Sequence, residues 1–104
     1  MTDAGSRAQP LAGIRVVELA TGVAGPYAAK LLADFGADVV KVEPSGGDPA
    51  RGWGAFPGND PGLHPAGRSG VAEVGTLHLH LNTNKRSIVA DLADPAGHDL
   101  VSAL

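Results

Sequence analysis

Cysteine is absent from this 104-residue chain, which removes disulfides, thiolate nucleophiles and Cys-based zinc sites. No apolar run approaches the roughly 18 residues of a membrane span, and the opening residues lack the basic start and the apolar centre of about 7–15 residues that mark a signal peptide. A soluble, cytoplasmic protein is the expectation. Positive charge is scarce: 8 Lys and Arg face 11 Asp and Glu, and their scatter leaves no electrostatic footprint for nucleic acid. Aromatic residues reach only 4%, whereas 15 Gly and 8 Pro exceed average shares of about 7% and 5%. Much of the chain must therefore turn and loop. One small domain with a thin core fits, since a chain of this size buries roughly 60–70% of its unfolded surface.

What is present has a clear order. Residues 1–10 are small, polar and without period, so a disordered leader is expected there. Residues 14–19 are short, β-branched and flanked by Gly13 and Gly22, which predicts a buried strand. Pro26 suits the first turn of a helix. Tyr27, Leu31 and Phe35, beside Ala28 and Leu32, predict an apolar stripe packed on a sheet, with Lys30 and Asp34 toward water and Gly36 as the left-handed stop. Residues 39–42 make a second strand, parallel to the first through a right-handed crossover. Residues 44–75 are rich in Gly, Pro, Asp, Asn and Ser, which predicts a long loop, mobile over residues 57–73. The strict alternation of residues 77–81 predicts an extended, half-buried segment, and residues 88–92 another strand. Asp94-Pro95 reads as an N-cap and N1 pair, and Leu100, Val101 and Leu104 begin a helical stripe that the last residue interrupts in mid-helix.

Several groups could carry chemistry. Gly22 and Gly25 follow the first strand and Glu43 closes the second, the layout in which glycines admit a pyrophosphate and an acid bonds a ribose hydroxyl. The spacing is Gly-x-x-Gly rather than G-x-G-x-x-G, and Pro26 offers no N–H, so NAD stands last among the readings. The same pair can simply shape a tight turn. Position favours more: residues 21–25 and 43–47 both lie beyond the carboxyl ends of strands and face one crevice. Asn82, Asn84, Lys85 and Arg86 suit phosphates or the pinning of loops equally. Arg51-Gly52-Trp53 could lay a guanidinium and an indole near a substrate, or form a surface clasp. His78 and His80 share one face of an extended strand, but two ligands leave a zinc site incomplete, so no metal is expected. His64 and His98 are expected in solvent. Asp48, Asp60, Asp91 and Asp94 show no spacing that pairs two carboxylates for acid-base work.

The ordered set Gly25-Pro26, the run from Leu31-Leu32-Ala33-Asp34 through Lys41-Val42-Glu43-Pro44, Arg51-Gly52-Trp53, Asn84-Lys85-Arg86-Ser87 and Asp91-Leu92 resembles the start of family III coenzyme A transferases across most of residues 11–104. The resemblance implies an α/β fold, a Rossmann-like βαβ unit with parallel strands that forms the incomplete N-terminal part of a larger domain. It implies coenzyme A across the first-strand loop, here Thr21, Gly22 and Val23, with the adenine end near Ala90, Asp91 and Leu92. Two departures bear on the phosphates. Relatives often place a cation after the Glu that ends the second strand and another after Asp-Leu, where this chain has Pro44 and Ala93. Formyl-CoA transferase has Gln where Val23 stands.

The family's reaction runs through an aspartate that attacks an acyl-CoA thioester, giving an acyl anhydride and then an aspartyl-CoA thioester. No Asp in these residues occupies the matching motif, so the catalytic group, the second domain and the interlocked homodimer would all need further sequence. The leading expectation is the N-terminal segment of an enzyme moving CoA between acyl-CoA and a carboxylic acid. A racemase of α-methylacyl-CoA on the same fold is the rival. A noncatalytic nucleotide- or partner-binding module is the alternative of another class.

Overall fold

The computed structural model describes residues 8–54 and 74–104. Three strands form one parallel sheet in the order β1 (Arg15–Glu18), β2 (Asp38–Glu43) and β3 (Arg86–Val89). Helix α1 (Ala24–Asp34) links β1 to β2. A 3-10 turn (Pro49–Gly52) and helix α2 (Thr76–Leu81) lie between β2 and β3, and helix α3 (Pro95–Ser102) follows. The expected α/β architecture with parallel strands is thus present.

β2 is the central strand, flanked by β1 and β3, and its last five residues are all buried. Val39 joins Ala29, Ala33 and Ala37 in the core, with Val16 and Leu11 against it. Alternation then puts Lys41 and Glu43 on the same face as Val39, together with their register partners Glu18, Ser87 and Val89. Both connecting helices lie on that face, since α1 and α2 touch. α3 runs back toward the strands' amino ends, where Leu104 shares a shallow pocket with Ile14, Arg15 and Asp38. Its start is capped as anticipated, Asp94 Oδ1 accepting from the Ala96 N–H at 3.1 Å, and it closes at Ser102.

Two expectations need correction. The stripe of Tyr27, Leu31 and Phe35 does not pack on the sheet: these side chains are 48%, 41% and 55% exposed, while Pro26, Ala29 and Ala33 are buried. Both sets are compatible with a 3.6-residue period, and the close approach of α1 selects the small one. A Cβ on Gly25 would lie 2.2 Å from that of Ala20, so the helix start has no room for bulk. Residues 77–81 are helical, not extended, with His78 and Leu81 buried at i, i+3 spacing. Parallel pairing of β2 with β3 demands a crossover of a dozen or more residues, usually helical, and this outweighs a five-residue alternation. β3 starts two residues earlier than expected and ends at Val89, although the Ala90 N–H still reaches the Glu43 carbonyl at 3.0 Å. Gly36 is the left-handed stop, at φ +105°. The expected mobility of residues 57–73 falls outside the described residues, as does most of the expected leader.

Gly75, like Gly25, is fixed by space. A Cβ on Gly75 would stand 1.9 Å from the Trp53 carbonyl oxygen, whereas one on Gly52 would meet nothing within 4 Å. Gly75→Ala should therefore lower the melting midpoint by at least about 4 °C, the shift that roughly 1 kcal/mol produces at this size. Gly52→Ala should melt like the parent by the same calorimetric scan.

Candidate functional site

A crevice of about 280 Å³ opens across the carboxyl ends of the three strands. Leu19 and Thr21 line it after β1, Val42 and Pro44 at the end of β2, and residues 90–93 after β3. Four of the six residues singled out from the sequence, Thr21, Ala90, Asp91 and Leu92, thus meet on one wall. Gly22 and Val23 stand beside the crevice without lining it. Gly22 takes φ +86° and turns its N–H to Asp48 Oδ1 at 3.3 Å, and Val23 occupies the position before α1, 47% exposed. Asp91 folds back on its own turn, Oδ1 accepting from the Ala93 N–H at 2.9 Å. The wall is mostly apolar and carries no cation; Pro44 and Ala93, where relatives of the resembled family often have cations, are both part of it.

Beneath this crevice lies an ionic network that the sequence reading missed. Lys41 Nζ reaches Glu18 Oε2 at 3.1 Å, Asp48 Oδ2 at 2.8 Å and the Ala20 carbonyl at 3.1 Å. Lys85 Nζ reaches Glu18 Oε1 at 2.7 Å, Asn82 Oδ1 at 2.7 Å and the Pro26 carbonyl at 2.9 Å. Each ammonium donates two hydrogen bonds and stands in ion-pair contact with a third oxygen, Asp48 Oδ2 for Lys41 and Glu18 Oε1 for Lys85, and none of the four charged side chains is more than 3% exposed. Lys85 is so far from water that burial, set against its bonds to Glu18, still moves its pKa below the usual lysine value. Two oppositely charged residues at facing register positions of paired strands, Glu18 and Lys41, were the available signal; β1 itself is not the buried strand expected, since of its four residues only Glu18 is buried.

Glu43 ends β2 but is not free for a ribose. Its Oε1 accepts from Arg51 Nε at 2.6 Å and from the Asp48 N–H at 2.8 Å; its Oε2 accepts from Arg51 at 2.7 Å and from the Ser87 hydroxyl. The Arg51 fork holds its carboxyl down to about 2, against a desolvation that would raise it. This removes the acid that a dinucleotide reading requires. Asp48 is likewise held below the usual aspartate range: burial pushes it up, but Lys41 and the N–H groups of Ala50 and Gly22 outweigh that.

The remaining groups serve as pins. Lys85 can only donate, so the Asn82 oxygen faces it, which sends Nδ2 toward His78 Nδ1 at 3.2 Å and makes that ring nitrogen the acceptor. His78 is buried and its pKa is lowered, by burial first and by Arg51 next. A cavity of about 210 Å³ separates His78 and Asn82 from Lys41, Glu43 and Ser87. His80 is exposed, so the two histidines share no face, and among the described residues no cluster of three His, Asp or Glu could hold a metal. Asn84, at φ +65°, donates to Asp34, and Arg86 forks onto Asp38. Arg51 grips Glu43 and leaves Trp53 43% exposed near Gly22. His98 and Asp94 lie in or beside α3, exposed, while His64 and Asp60 fall outside the described residues.

A profile described as CoA-transferase family III matches residues 11–104. The chain is 48% identical over 106 aligned positions to succinate–glutarate CoA-transferase of Agrobacterium fabrum, covering 100% of this chain and 24% of that protein. It is 44% identical to succinyl-CoA–D-citramalate CoA-transferase of Chloroflexus aurantiacus, covering 92% of this chain and 21% of that one. Among solved structures, a CaiB/BaiF family protein from Brucella suis superposes with a TM-score of 0.73 at 39% identity, covering 91% of this chain and 23% of that chain. The chain thus spans about a quarter or less of the length of these relatives.

Proposed function

The chain belongs to CoA-transferase family III, and from that premise we propose that it is the N-terminal segment of an enzyme that moves CoA from an acyl-CoA to a carboxylic acid. The observation that carries the reading is the crevice at the carboxyl ends of β1, β2 and β3, the place where open α/β sheets take ligands. The relatives named above act on succinyl, glutarate and citramalate groups, so the proposed substrates are succinyl-CoA and short dicarboxylic acids. The aspartyl carboxylate that attacks the thioester is assigned to sequence beyond these residues, as are the second domain and the homodimer.

The crevice residues fit one end of CoA. Leu19, Val42, Ala90 and Leu92 offer apolar surface for an adenine ring, and Thr21 and the second Asp91 oxygen offer hydrogen bonds to its edges or to the ribose. They do not fit the phosphates, because no lining residue is cationic. That part of the cofactor would be met by groups outside the crevice. When bound, CoA supplies the thiol that carries the acyl group; these residues bind and orient its other end.

Titration calorimetry tests the assignment. CoA should release heat on mixing with the chain, NAD should not, and Asp91→Ala should weaken CoA about tenfold, the effect of one hydrogen bond to a charged group. Heat from NAD with none from CoA would end the proposal. Transfer of CoA from succinyl-CoA to labelled glutarate by the longer polypeptide would test the substrate class.

A further inference from the structure

The crevice loop is gripped by a buried ion pair that does not itself line the crevice. Lys41 Nζ holds the Ala20 carbonyl at 3.1 Å, and Asp48 Oδ1 holds the Gly22 N–H at 3.3 Å. The two side chains are joined to each other at 2.8 Å. Thr21, the residue between these two backbone groups, is the one that faces the crevice. We propose that Asp48, acting with Lys41, is a positioning residue that sets the shape of the Ala20, Thr21 and Gly22 turn for CoA without touching CoA. This rests on the functional reading above.

Three observations favour it. A buried ion pair contributes little net stability compared with apolar residues of similar size, so its presence here calls for a geometric role. Gly22 takes φ +86°, which glycine reaches without steric cost, so the turn needs an outside contact to select that conformation from the others open to glycine, and the Asp48 carboxylate is the acceptor for its N–H. The grip also comes from a distant segment, 26 residues away, so it couples the first-strand turn to β2 and to the 3-10 turn that Asp48 caps through the Ala50 N–H at 2.9 Å. That cap is the plain structural alternative, and the test must separate the two.

Amide hydrogen exchange of the 104-residue chain, followed residue by residue, makes the separation. In the parent protein the Gly22 amide should be protected, and exchange at the free-chain rate would overturn the clamp with no variant needed. Asp48→Ala should speed Gly22 exchange about tenfold or more while the β2 amides change little, and should weaken CoA about tenfold by calorimetry. Asp48→Asn keeps an acceptor oxygen for Gly22 and Ala50 but sets its amide nitrogen against the Lys41 ammonium, so it should recover only part of both losses. Equal acceleration at Gly22 and across β2 would show a merely structural cap and sink the proposal. So would a loosened Gly22 amide with CoA affinity unchanged. Absence of CoA heat from the parent protein would instead remove the functional reading, leaving the exchange data to decide the clamp.

Discussion

Lys41→Met should cost about 3–5 kcal/mol of folding stability, the loss typical of breaking a buried ion pair by removing one partner. The chain's whole stability is expected within about 5–15 kcal/mol, so this single change removes a large part of it. The cause is what remains. Asp48 Oδ2 and Glu18 Oε2 lose their ammonium, the Ala20 carbonyl loses its donor, and both carboxylates are at most 3% exposed, so water cannot replace the lysine. In urea the midpoint should fall by at least about 1 M with the slope unchanged, since the surface exposed on unfolding is the same. A midpoint within experimental error of the parent would refute the view that the network is intact in the folded state.

Burial is what makes that effect large. Asp38 pairs with Arg15 at 2.9 Å and with Arg86 at 2.7 Å, distances as good as those of Lys41, but its side chain is 41% exposed and those arginines 49% and 63%. Arg86→Ala should therefore change the urea midpoint by the equivalent of less than about 1 kcal/mol. Lys85 belongs with Lys41. Its ion-pair partner comes from β1 and its two hydrogen-bond acceptors from α1 and the turn after α2, so it fastens three elements at one buried point.

The architecture was legible where local signals agreed with each other. The β-branched first strand, Pro26 near the helix start, Gly36 at its end and the second strand all point to one βαβ unit, and parallel β1 and β2 follow. Legibility failed where several solutions share one pattern. Tyr27, Leu31 and Phe35 form a stripe at helical spacing, but so do Pro26, Ala29 and Ala33, and only the distance between helix and sheet decides which is inside. Size misleads here: the largest apolar side chains of α1 predict its buried face, and that face is Pro26, Ala29 and Ala33.

The site shows the same division. That loops after parallel strands converge follows from topology alone, which brings residues 21–25 and 43–47 to one crevice, whereas Ala90, Asp91 and Leu92 were implied by the family resemblance and not by topology. Charges within strands carry no such rule. Lys41 reads as an outward residue between valines until β3 is placed beside β2 and α2 above it, and only then is its face an interior. Glu43 looked like an acceptor for a sugar because it ends a strand, yet Arg51, Ser87 and the Asp48 N–H occupy both of its oxygens. Long-range partners of that kind lie 5 to 44 residues away and leave no local mark.

Acid should undo this fold in two stages. The folded pKa of His78 lies below its ordinary value of 6.5, because burial and the nearby Arg51 disfavour a charged ring. As pH falls through 6.5 the unfolded chain takes up this proton and the folded one does not, so stability present above that pH begins to decline. Glu43 then dominates. Its folded pKa of about 2 against an ordinary 4.5 means that its contribution is complete above pH 4.5 and is lost progressively as pH drops toward 2, with Asp48 adding in the same direction below 3.8. The Glu43 shift corresponds to roughly 3 kcal/mol, large enough to unfold a marginal domain. Urea midpoints measured from pH 7.5 to pH 3 should therefore fall gently at first and steeply below pH 4.5. In Glu43→Gln the steep limb should flatten, because the glutamine has no proton to gain, even though the variant starts from a lower midpoint. A steep limb of undiminished slope in that variant would assign acid unfolding to other carboxylates and remove Glu43 from its place at the centre of the β2, β3 and 3-10 junction.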